Sequence, residues 1–333
     1  MNIPVKPDGP FERLTALVAD DMARVNEVIR ARMSSEHAPR IPEISAHLIE
    51  AGGKRLRPIL TLAAAHLCGY RGGDHVKLAA VVEFIHTATL LHDDVVDESE
   101  KRRGKATANI LFDNLSSVLV GDYLFARAFQ LMVETGNLRV LSILSNAAAV
   151  IAEGEVLQLT TAHDLTTNLA RYEQVIRGKT AALFAAATEV GGVISAVPEA
   201  QVQALATYGD GLGMAFQLAD DLLDYGGSSS NLGKNTGDDF REGKVTLPII
   251  LAVSRGDDAQ RAFWKRTIAQ GRQQEGDLET ALGYLAATNA LEDTRTTARE
   301  HGATAIAALE AFDDGPMRGA LIDIAEFVIA RTV

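Results

Sequence analysis

The chain has 333 residues, of which 47% are hydrophobic and 5% aromatic, and its formal net charge is −12. Its length permits two domains without requiring them, and many aliphatic residues with few prolines favour helices over a sandwich or barrel. The acidic balance argues against nucleic acid as a main partner. An anionic substrate would need cations or local arginines to bind such a chain.

Features bearing on location point to the cytoplasm. Cys68 is the single cysteine, so no disulfide can form within the chain, which fits a reducing compartment. The first residues lack the apolar segment of a signal peptide, and we expect no apolar run near the roughly 20 residues of a membrane span. We therefore expect a soluble, cytoplasmic protein, and peripheral membrane contact stays open.

Helical periodicity runs through nearly the whole chain, without a convincing alternating strand pattern. Long helices are predicted at 10–36, 59–67, 75–98, 113–135, 138–162, 171–196 and 199–226, with shorter helices towards the C-terminus. Glycine-rich breaks are predicted at 52–58, 68–74 and 226–237. The pattern predicts one all-α domain over residues 1–333, built as a large bundle around long helices.

Two aspartate clusters share one spacing. The segment DDVVD (93–97) recurs as DDLLD (220–224), 127 residues later, and the six acidic residues are Asp93, Asp94, Asp97, Asp220, Asp221 and Asp224. Positions three and four apart share a helical face, so each cluster concentrates negative charge that is destabilising unless neutralised. Oxygen-only ligands favour Mg²⁺, which commonly bridges to substrate phosphates. One such cluster alone fits a solvated helix end equally well, but two copies favour a metal and diphosphate site.

Basic residues recur beside both clusters. They are Lys54 and Arg57 in GGKRLRP, Arg102 and Arg103 after the first cluster, Lys179 in IRGKTAALF, and Lys234 and Lys244 after the second cluster. Glycine-rich turns before helices favour anions, and arginine adds bidentate phosphate contacts. For GGKRLRP alone, a solvated turn is the alternative. His86 lies seven residues before Asp93 on roughly the same helical face, which fits either a core histidine or a substrate contact.

The ordered set of motifs resembles the trans-isoprenyl diphosphate synthases, and most closely their long-chain polyprenyl members. Besides GGKRLRP, the motifs are EFIHTATLLHDDVVD with RRGKAT, GDYLFARAF, IRGKTAALF, FQLADDLLDY and LGKNTGDDFREGKVTLP. The resemblance covers nearly the whole chain. It implies a single-domain all-α isoprenoid-synthase bundle, usually a homodimer, with a central active-site cavity. It also implies Mg²⁺-dependent head-to-tail condensation of isopentenyl diphosphate onto an allylic diphosphate such as farnesyl diphosphate.

The resemblance implies a role for each matching residue. The aspartates of both clusters would hold about three Mg²⁺ ions. The residues implied to contact the allylic diphosphate are Arg102, Lys179 and Lys234. Those implied to contact isopentenyl diphosphate are Lys54, Arg57, His86 and Arg103. Thr180 and Gln217 would lie near the reacting carbons, and Lys244 and Asp238 would belong to a loop that closes over the site.

Product length would be set below the first cluster. Ala88 and Thr89 occupy positions where short-chain members of the family tend to place bulky aromatics, so a growing tail could pass. The alternative is that both are ordinary packing residues. Candidates for a deeper floor are Phe125, Phe129 and Met132, with core packing as their alternative. We expect a product of the octaprenyl to decaprenyl class, the size used for quinone side chains.

Other functions stay open at this point. A class I terpene cyclase also has an aspartate-rich helix, but its second metal motif is usually a mixed Asn/Ser/Glu pattern. A regulatory subunit of a heteromeric synthase typically loses one or both clusters, and a shorter-chain synthase would differ in its product. A purely structural bundle gives no reason for clustered carboxylates.

Overall fold

The computed structural model describes residues 9–35, 37–50, 53–102, 104–226 and 237–331. Arg103 and Lys234, both predicted to contact diphosphate, lie outside these ranges. The helices are α1 Pro10–Leu17, α2 Ala19–Met33, α3 Arg40–Glu50, α4 Leu56–Leu67, α5 Asp74–Val96, α6 Ala108–Leu111, α7 Asn114–Glu134, α8 Leu138–Thr161, α9 Leu169–Ile176, α10 Ala182–Ile194, α11 Glu199–Gly226, α12 Asp238–Arg241, α13 Leu247–Arg255, α14 Asp258–Trp264, α15 Asp277–Ala287, α16 Ala290–Ala308 and α17 Pro316–Ala330. The predicted all-α class is confirmed.

The remaining regular structure consists of short pieces. Strands β1 (Lys101–Arg102) and β2 (Lys105–Ala106) pair antiparallel, with Lys101 opposite Ala106. Two π-helical turns, Arg177–Ala181 and Lys265–Ala269, continue α9 and α14, and a 3₁₀ turn at Leu309–Ala311 follows α16. The predicted helix at 171–196 is therefore interrupted by a π-helical turn, and the small strand pair is not predicted from the sequence.

Two N-terminal details differ from the sequence-based prediction. The predicted helix at 10–36 divides at Val18, whose backbone leaves the helical region (φ −123°, ψ 16°). A β-branched residue favours helix less than its neighbours do, and two acidic residues at the start of α2 stabilise a new helix N-terminus there. The sequence-based prediction also omits α3, in which Pro42 lies in the first turn, where proline is tolerated.

The chain forms two compact units, each assembled from separate segments. The first comprises Met1–Ala148, Leu183–Ala206 and Leu309–Ile324, and the second comprises Ala149–Ala182, Thr207–Ala308 and Ala325–Val333. Because each unit needs distant parts of the chain, neither is an independent stretch of sequence. The expectation of one domain over residues 1–333 stays a prediction.

In the first unit, α5 is buried on nearly every side. Its apolar residues from Leu78 to Ala88, and Leu91, are almost inaccessible, and α4 buries every residue from Pro58 to Ala65. A helix that is apolar all round belongs inside a core. The core therefore fixes α5 along its length and positions the acidic residues at its carboxyl end.

In the second unit, aromatic side chains dominate the core. Trp264 is fully buried, and Phe263 contacts it edge to face with ring centroids 5.2 Å apart. The same cluster includes Tyr172 on α9, Leu218 on α11 and Phe240 on α12. This core therefore fixes the three elements that carry the second group of polar residues.

Among the described residues, α8 is the one helix long and apolar enough to cross a membrane by length and composition. This differs from the expectation that no run approaches a membrane span, because only a few charged residues interrupt its 24 residues. The core helix of a soluble protein meets the same criterion, so α8 is weak evidence for membrane insertion.

Candidate active site

The basic GGKRLRP segment leads into the N-terminus of α4. Arg55 adopts a left-handed backbone conformation (φ 47°, ψ 39°) immediately before the helix. A non-glycine residue in this region costs about 1–2 kcal/mol, so the surrounding structure must hold this turn. Lys54 is exposed, with its ammonium 5.6 Å from the Phe11 ring, and Arg57 lies in the first turn of α4.

Arg57 and His86 are brought together, as predicted. Arg57 Nη1 lies 3.2 Å from His86 Nε2, and the guanidinium stacks 4.4 Å above the Phe184 ring. Burial lowers the pKa of Arg57 to about 10, against the opposing charge of Glu83, so the side chain stays cationic at neutral pH. Its Nε is buried and has no hydrogen-bond partner within the described part of the chain. An unsatisfied, charged donor of this kind fits an anionic ligand.

The first acidic cluster lies at the carboxyl end of α5. The helix ends at Val96, and the exposed Asp97 is its C-cap, with its amide donating to the Asp93 carbonyl at 2.8 Å. The carboxyl end of a helix carries partial negative charge and favours cations. Carboxylates in this position therefore fit a site at which a cation binds.

Asp94 differs from its neighbours in being 1% exposed and paired with arginine. Arg102 on β1 donates to Asp94 Oδ1 from Nε at 3.0 Å and from Nη2 at 2.8 Å. The other oxygen, Oδ2, is buried without a hydrogen-bond partner among the residues the structure describes. A buried, unsatisfied carboxylate oxygen beside further aspartates fits a hard cation such as Mg²⁺.

The predicted chain-length residues fall in different environments. Ala88 is fully buried on α5, and Thr89 Oγ1 donates to the His86 carbonyl at 2.8 Å. On α7, Met132 is fully buried, whereas Phe129 is 41% exposed. Phe129 lines an open surface cleft with Arg32 and Val133.

Phe125 lies between these extremes on α7. It is half-buried, and its ring centroid is 6.0 Å from that of His92 on α5. Phe125 is thus an aromatic residue of α7 that contacts α5. The proposed role of either residue in setting product length stays a prediction.

In the second unit, a chain of hydrogen bonds joins three predicted site residues. Thr180 Oγ1 donates to Gln217 Oε1 at 2.7 Å, and Gln217 Nε2 donates to Asp221 Oδ1 at 2.8 Å. Tyr172 completes the chain by donating from its hydroxyl to Asp221 Oδ2 at 2.6 Å. Both oxygens of this buried carboxylate are thus held by neutral donors, which fixes the Gln217 amide and the Thr180 hydroxyl.

Burial and crowding of carboxylates change the acidity of this cluster. The pKa of Asp221 is raised to about 6, mainly by burial and also by the charge of Asp220. The pKa of Asp239 is raised well above its ordinary value by burial and by Asp221 and Asp224. Burial likewise raises the pKa of Tyr172, so it stays a neutral donor. Burial and mutual repulsion both oppose ionisation of these carboxylates. A cation bound beside them would offset both effects, so the cluster fits a cation site.

The loop predicted to close over the site is anchored on Asp224. Its carboxylate accepts from the backbone amides of Asp238 at 3.1 Å and Asp239 at 3.0 Å, at the start of α12. Lys244, which follows α12, pairs with Glu242 and lies 3.9 Å from Asp239 Oδ1. The described end of the loop is therefore attached to the second cluster through backbone and charge contacts.

Lys179 and Thr180 lie on the π-helical turn between α9 and α10. Lys179 Nζ donates to Glu155 Oε2 on α8 at 2.9 Å. At this turn the backbones come close, because a Cβ added to Gly154 would lie 2.7 Å from Lys179 N and 2.9 Å from Gly178 C. A π-helical turn places an extra residue in the helix and is frequent at functional sites.

Comparison with known proteins decides the family. Residues 38–285 match the polyprenyl synthetase family. The chain belongs to this family. Its members are prenyltransferases and depend in general on Mg²⁺, so the predicted enzyme class is confirmed.

Relatives of this polyprenyl synthetase are similar over nearly its whole length. The octaprenyl diphosphate synthase of Escherichia coli strain K12 is 47% identical over 96% of this chain and 99% of its own. A decaprenyl diphosphate synthase from Rhodobacter capsulatus superposes with a TM-score of 0.95 at 65% identity, covering 97% of this chain and 100% of its own. These relatives are long-chain synthases, as the resemblance of the motifs implies.

A third relative was solved with ligands. The polyprenyl synthase of Caulobacter crescentus CB15, complexed with calcium and isoprenyl diphosphate, has a TM-score of 0.92 and 52% identity. The similarity covers 99% of this chain and all of that one.

Several residues that contact the predicted site residues are missed by reasoning from sequence. The main ones are Tyr172, Glu155, Asp239 and Phe184, which contact predicted residues in the structure. Asp239 is adjacent to the predicted Asp238, so the GDDF motif could have indicated it as a second acidic residue of the same loop. Tyr172 lies two helical turns before Thr180, and only the contact with α11 reveals its role.

Proposed function

We propose that this polyprenyl synthetase condenses isopentenyl diphosphate head-to-tail onto an allylic diphosphate, farnesyl diphosphate or similar. Diphosphate leaves, and repeated cycles yield an all-trans polyprenyl diphosphate of the octaprenyl to decaprenyl class, used for a quinone side chain. The observation that carries this proposal is the position of both aspartate clusters at the carboxyl ends of long helices, α5 and α11. Carboxylates there are unfavourable unless cations bind beside them.

About three Mg²⁺ ions per site would be held by Asp93, Asp94, Asp97 and Asp220, with Asp221 and Asp224 in support. The unsatisfied Asp94 Oδ2 and the raised pKa of Asp221 are what this chain offers in favour of the fit. Bound Mg²⁺ supplies charge neutralisation for the leaving diphosphate. The complex of the Caulobacter crescentus relative with calcium and isoprenyl diphosphate supports the same ligand chemistry.

The basic residues would divide between the two substrates. Lys54, Arg57 and His86 would bind the diphosphate of isopentenyl diphosphate, and the unsatisfied Arg57 Nε supports this role. Arg102 and Lys179 would bind the allylic diphosphate. Each is oriented by a carboxylate, Asp94 and Glu155 respectively, so their charges are positioned before substrate arrives. Arg103 and Lys234 keep their proposed diphosphate roles.

The hydrogen-bonded side chains in the second unit would act on the reacting carbons. Fixed by Asp221 and Tyr172, the Gln217 amide and Thr180 hydroxyl present dipoles that favour the positive charge developing on the allylic carbons. The double bond of isopentenyl diphosphate then attacks, and a proton is lost to the departing diphosphate. Lys244 and Asp238 would help the loop exclude water, which otherwise quenches the cation.

Product length is proposed to depend on the small Ala88 and Thr89. Ala88 is fully buried, so Ala88→Phe would add a ring in a core position and block a growing chain. We expect Ala88→Phe to give shorter products in mass analysis, with the same substitution at the exposed Ala286 on α15, Ala286→Phe, as the matched control. An unchanged product from Ala88→Phe would contradict this pocket.

The enzyme is proposed to work as a homodimer. Large apolar side chains are exposed along α6 and α7, and the most exposed of them are Ile110, Leu111, Leu115, Leu119 and Val133. An apolar face of this kind is typical of a protein interface. Light scattering in solution would detect the dimer, and a monomer at micromolar concentration would contradict it. Nucleic acid is not among the proposed partners.

The reaction is proposed to take place in the cytoplasm, with only peripheral membrane contact during release of the apolar product. Co-sedimentation with lipid vesicles before and after turnover tests this. Permanent retention by vesicles that resists high salt would contradict it.

The central experiment incubates the purified chain with Mg²⁺, isopentenyl diphosphate and geranyl, farnesyl or geranylgeranyl diphosphate, followed by product mass analysis. An octaprenyl to decaprenyl product from the chain alone supports the proposal. A product of farnesyl or geranylgeranyl length, or a requirement for a second protein, would contradict it.

A further inference from the structure

Three side chains with metal-ligand chemistry meet at the amino-terminal end of α5. Asp21 Oδ2 on α2 lies 2.7 Å from His66 Nε2 on α4 and 2.9 Å from His75 Nε2 on α5. Within the described residues, this is the one group of three acidic, histidine or cysteine side chains whose ligand atoms lie within 4.8 Å of one another. Eighteen residues separate His75 from Asp93, about 27 Å along the same helix, so the group is distinct from the first acidic cluster.

The group is built into the fold rather than assembled from mobile surface chains. His75 is 5% exposed, and the rings of Tyr70 and His66 contact it edge to face at 5.4 Å and 5.7 Å. The Asp21 side chain is 13% exposed, whereas His66 is 35% exposed. The site is thus enclosed on the His75 side and open to solvent at His66, which leaves an entry path and room for water.

The contacts of Asp21 divide between its two oxygens. Arg24 donates to Oδ1 at 2.7 Å, whereas Oδ2 faces the two histidine nitrogens. A ligand carboxylate must be ionised and a ligand imidazole neutral.

The spacing is close to that of a zinc site. Zinc binds histidine nitrogen and carboxylate oxygen at about 2.0–2.2 Å, which places tetrahedral ligand atoms about 3.3 Å apart. The two Asp21–histidine separations need to open by only a few tenths of an ångström. Imidazole ligands favour zinc and similar transition metals over Mg²⁺.

We propose that Asp21, His66 and His75 form a binding site for Zn²⁺ or a similar divalent transition metal, with water completing the shell. The ion ties α2 to the facing ends of α4 and α5 and stabilises the fold. It is separate from the Mg²⁺ required for condensation, and the proposal does not depend on the proposed function.

The test uses the full-length chain without a histidine tag, stripped of metal and titrated with Co²⁺ in millimolar Mg²⁺. Cobalt bound to two imidazoles and a carboxylate in tetrahedral geometry gives visible d–d bands, whereas all-oxygen octahedral sites absorb far more weakly. We expect one equivalent of band-forming Co²⁺, displaced by Zn²⁺. The bands should be lost in His66→Ala and Asp21→Asn and kept in His37→Ala, an exposed histidine outside the group.

A second measurement guards against misfolding of the variants. Zn²⁺ should raise the melting temperature of the stripped wild-type chain by a few degrees, and this increase should vanish in His66→Ala although the metal-free melting temperature stays close to wild type. Absence of bands and of a thermal shift in the wild type would show a hydrogen-bonded cluster only and overturn the proposal. Equal bands in wild type and His66→Ala would also overturn it.

Discussion

The two acidic clusters share the DDxxD spacing but differ in what surrounds their buried carboxylate. In the first cluster, Asp94 is paired with the guanidinium of Arg102. In the second, Asp221 is held by the neutral Tyr172 and Gln217, and further carboxylates raise its pKa to about 6. Spacing on a helix therefore fixes the face that the carboxylates occupy, whereas the neighbouring elements fix their charge balance.

This difference implies different dependence on cations. A carboxylate paired with arginine is already compensated, whereas a buried carboxylate held by neutral donors gains more from a nearby metal ion. The first cluster is therefore expected to keep its local structure without Mg²⁺, and the second is expected to depend on it.

The largest effect should come from removing a carboxylate of either cluster. Asp97→Ala and Asp220→Ala should each lower kcat/KM by roughly 10³-fold, because each removes a proposed ligand of the charge-neutralising ions. Steady-state kinetics with farnesyl diphosphate measure this. Asp258→Ala, a fully exposed aspartate on α14, is the matched control and should retain wild-type kinetics. Activity within tenfold of wild type for either cluster variant would contradict a role of that cluster in holding the ions.

The next effect concerns the pH dependence of stability without Mg²⁺. The folded chain keeps the proton on Asp221 up to about pH 6, whereas the unfolded chain releases it near the ordinary pKa of 3.8. The contribution of Asp221 to the free energy of unfolding is therefore lost as pH rises through about 6, by at most about 3 kcal/mol.

Urea unfolding in EDTA between pH 4 and pH 7.5 checks this prediction. Asp221→Asn should lack the part of the decline due to Asp221, and Asp258→Asn should not. Added Mg²⁺ should stabilise the wild type more at pH 7.5 than at pH 5. If the free energies of unfolding of wild type and Asp221→Asn changed with pH in parallel, the buried environment of Asp221 with its neutral donors would be contradicted.

A smaller effect, on stability, should appear in the first cluster when the Arg102 guanidinium is removed. Arg102→Met leaves the Asp94 carboxylate buried without its partner, which should lower the free energy of unfolding by about 2 kcal/mol, less than for a fully buried pair because Arg102 is 31% exposed. Chemical denaturation measures this. The double variant Arg102→Met/Asp94→Asn should recover much of the loss, and additive losses would show that the pair is not coupled.

Sequence predicts the long helices well and the local breaks poorly. The bounds of α5, α7, α8 and α11 fall within about two residues of the periodic patterns, because burial of one or more apolar faces dominates long elements. The break at Val18 and the π-helical turn at Arg177–Ala181 depend on packing, so no local sequence pattern predicts them.

The candidate site likewise contains residues that the sequence predicts and residues that only the folded structure reveals. Spacing alone identifies the aspartates, and the ordered motifs add Arg57, His86, Thr180 and Gln217, which the structure brings into contacts within their units. Tyr172 and Glu155 come from neighbouring helices, and their contacts arise only on folding. The exposed position of Phe129 shows the converse, because an apolar residue on a helix does not by itself reveal which side it faces.

Calorimetric binding of an allylic diphosphate analogue that cannot ionise, in the presence of Mg²⁺, tests most directly the claim that substrate binding depends on both clusters. The wild type should bind with an affinity that falls sharply on Mg²⁺ removal, and Asp97→Ala and Asp220→Ala should each weaken binding at least tenfold. Wild-type affinity in either variant would contradict the account.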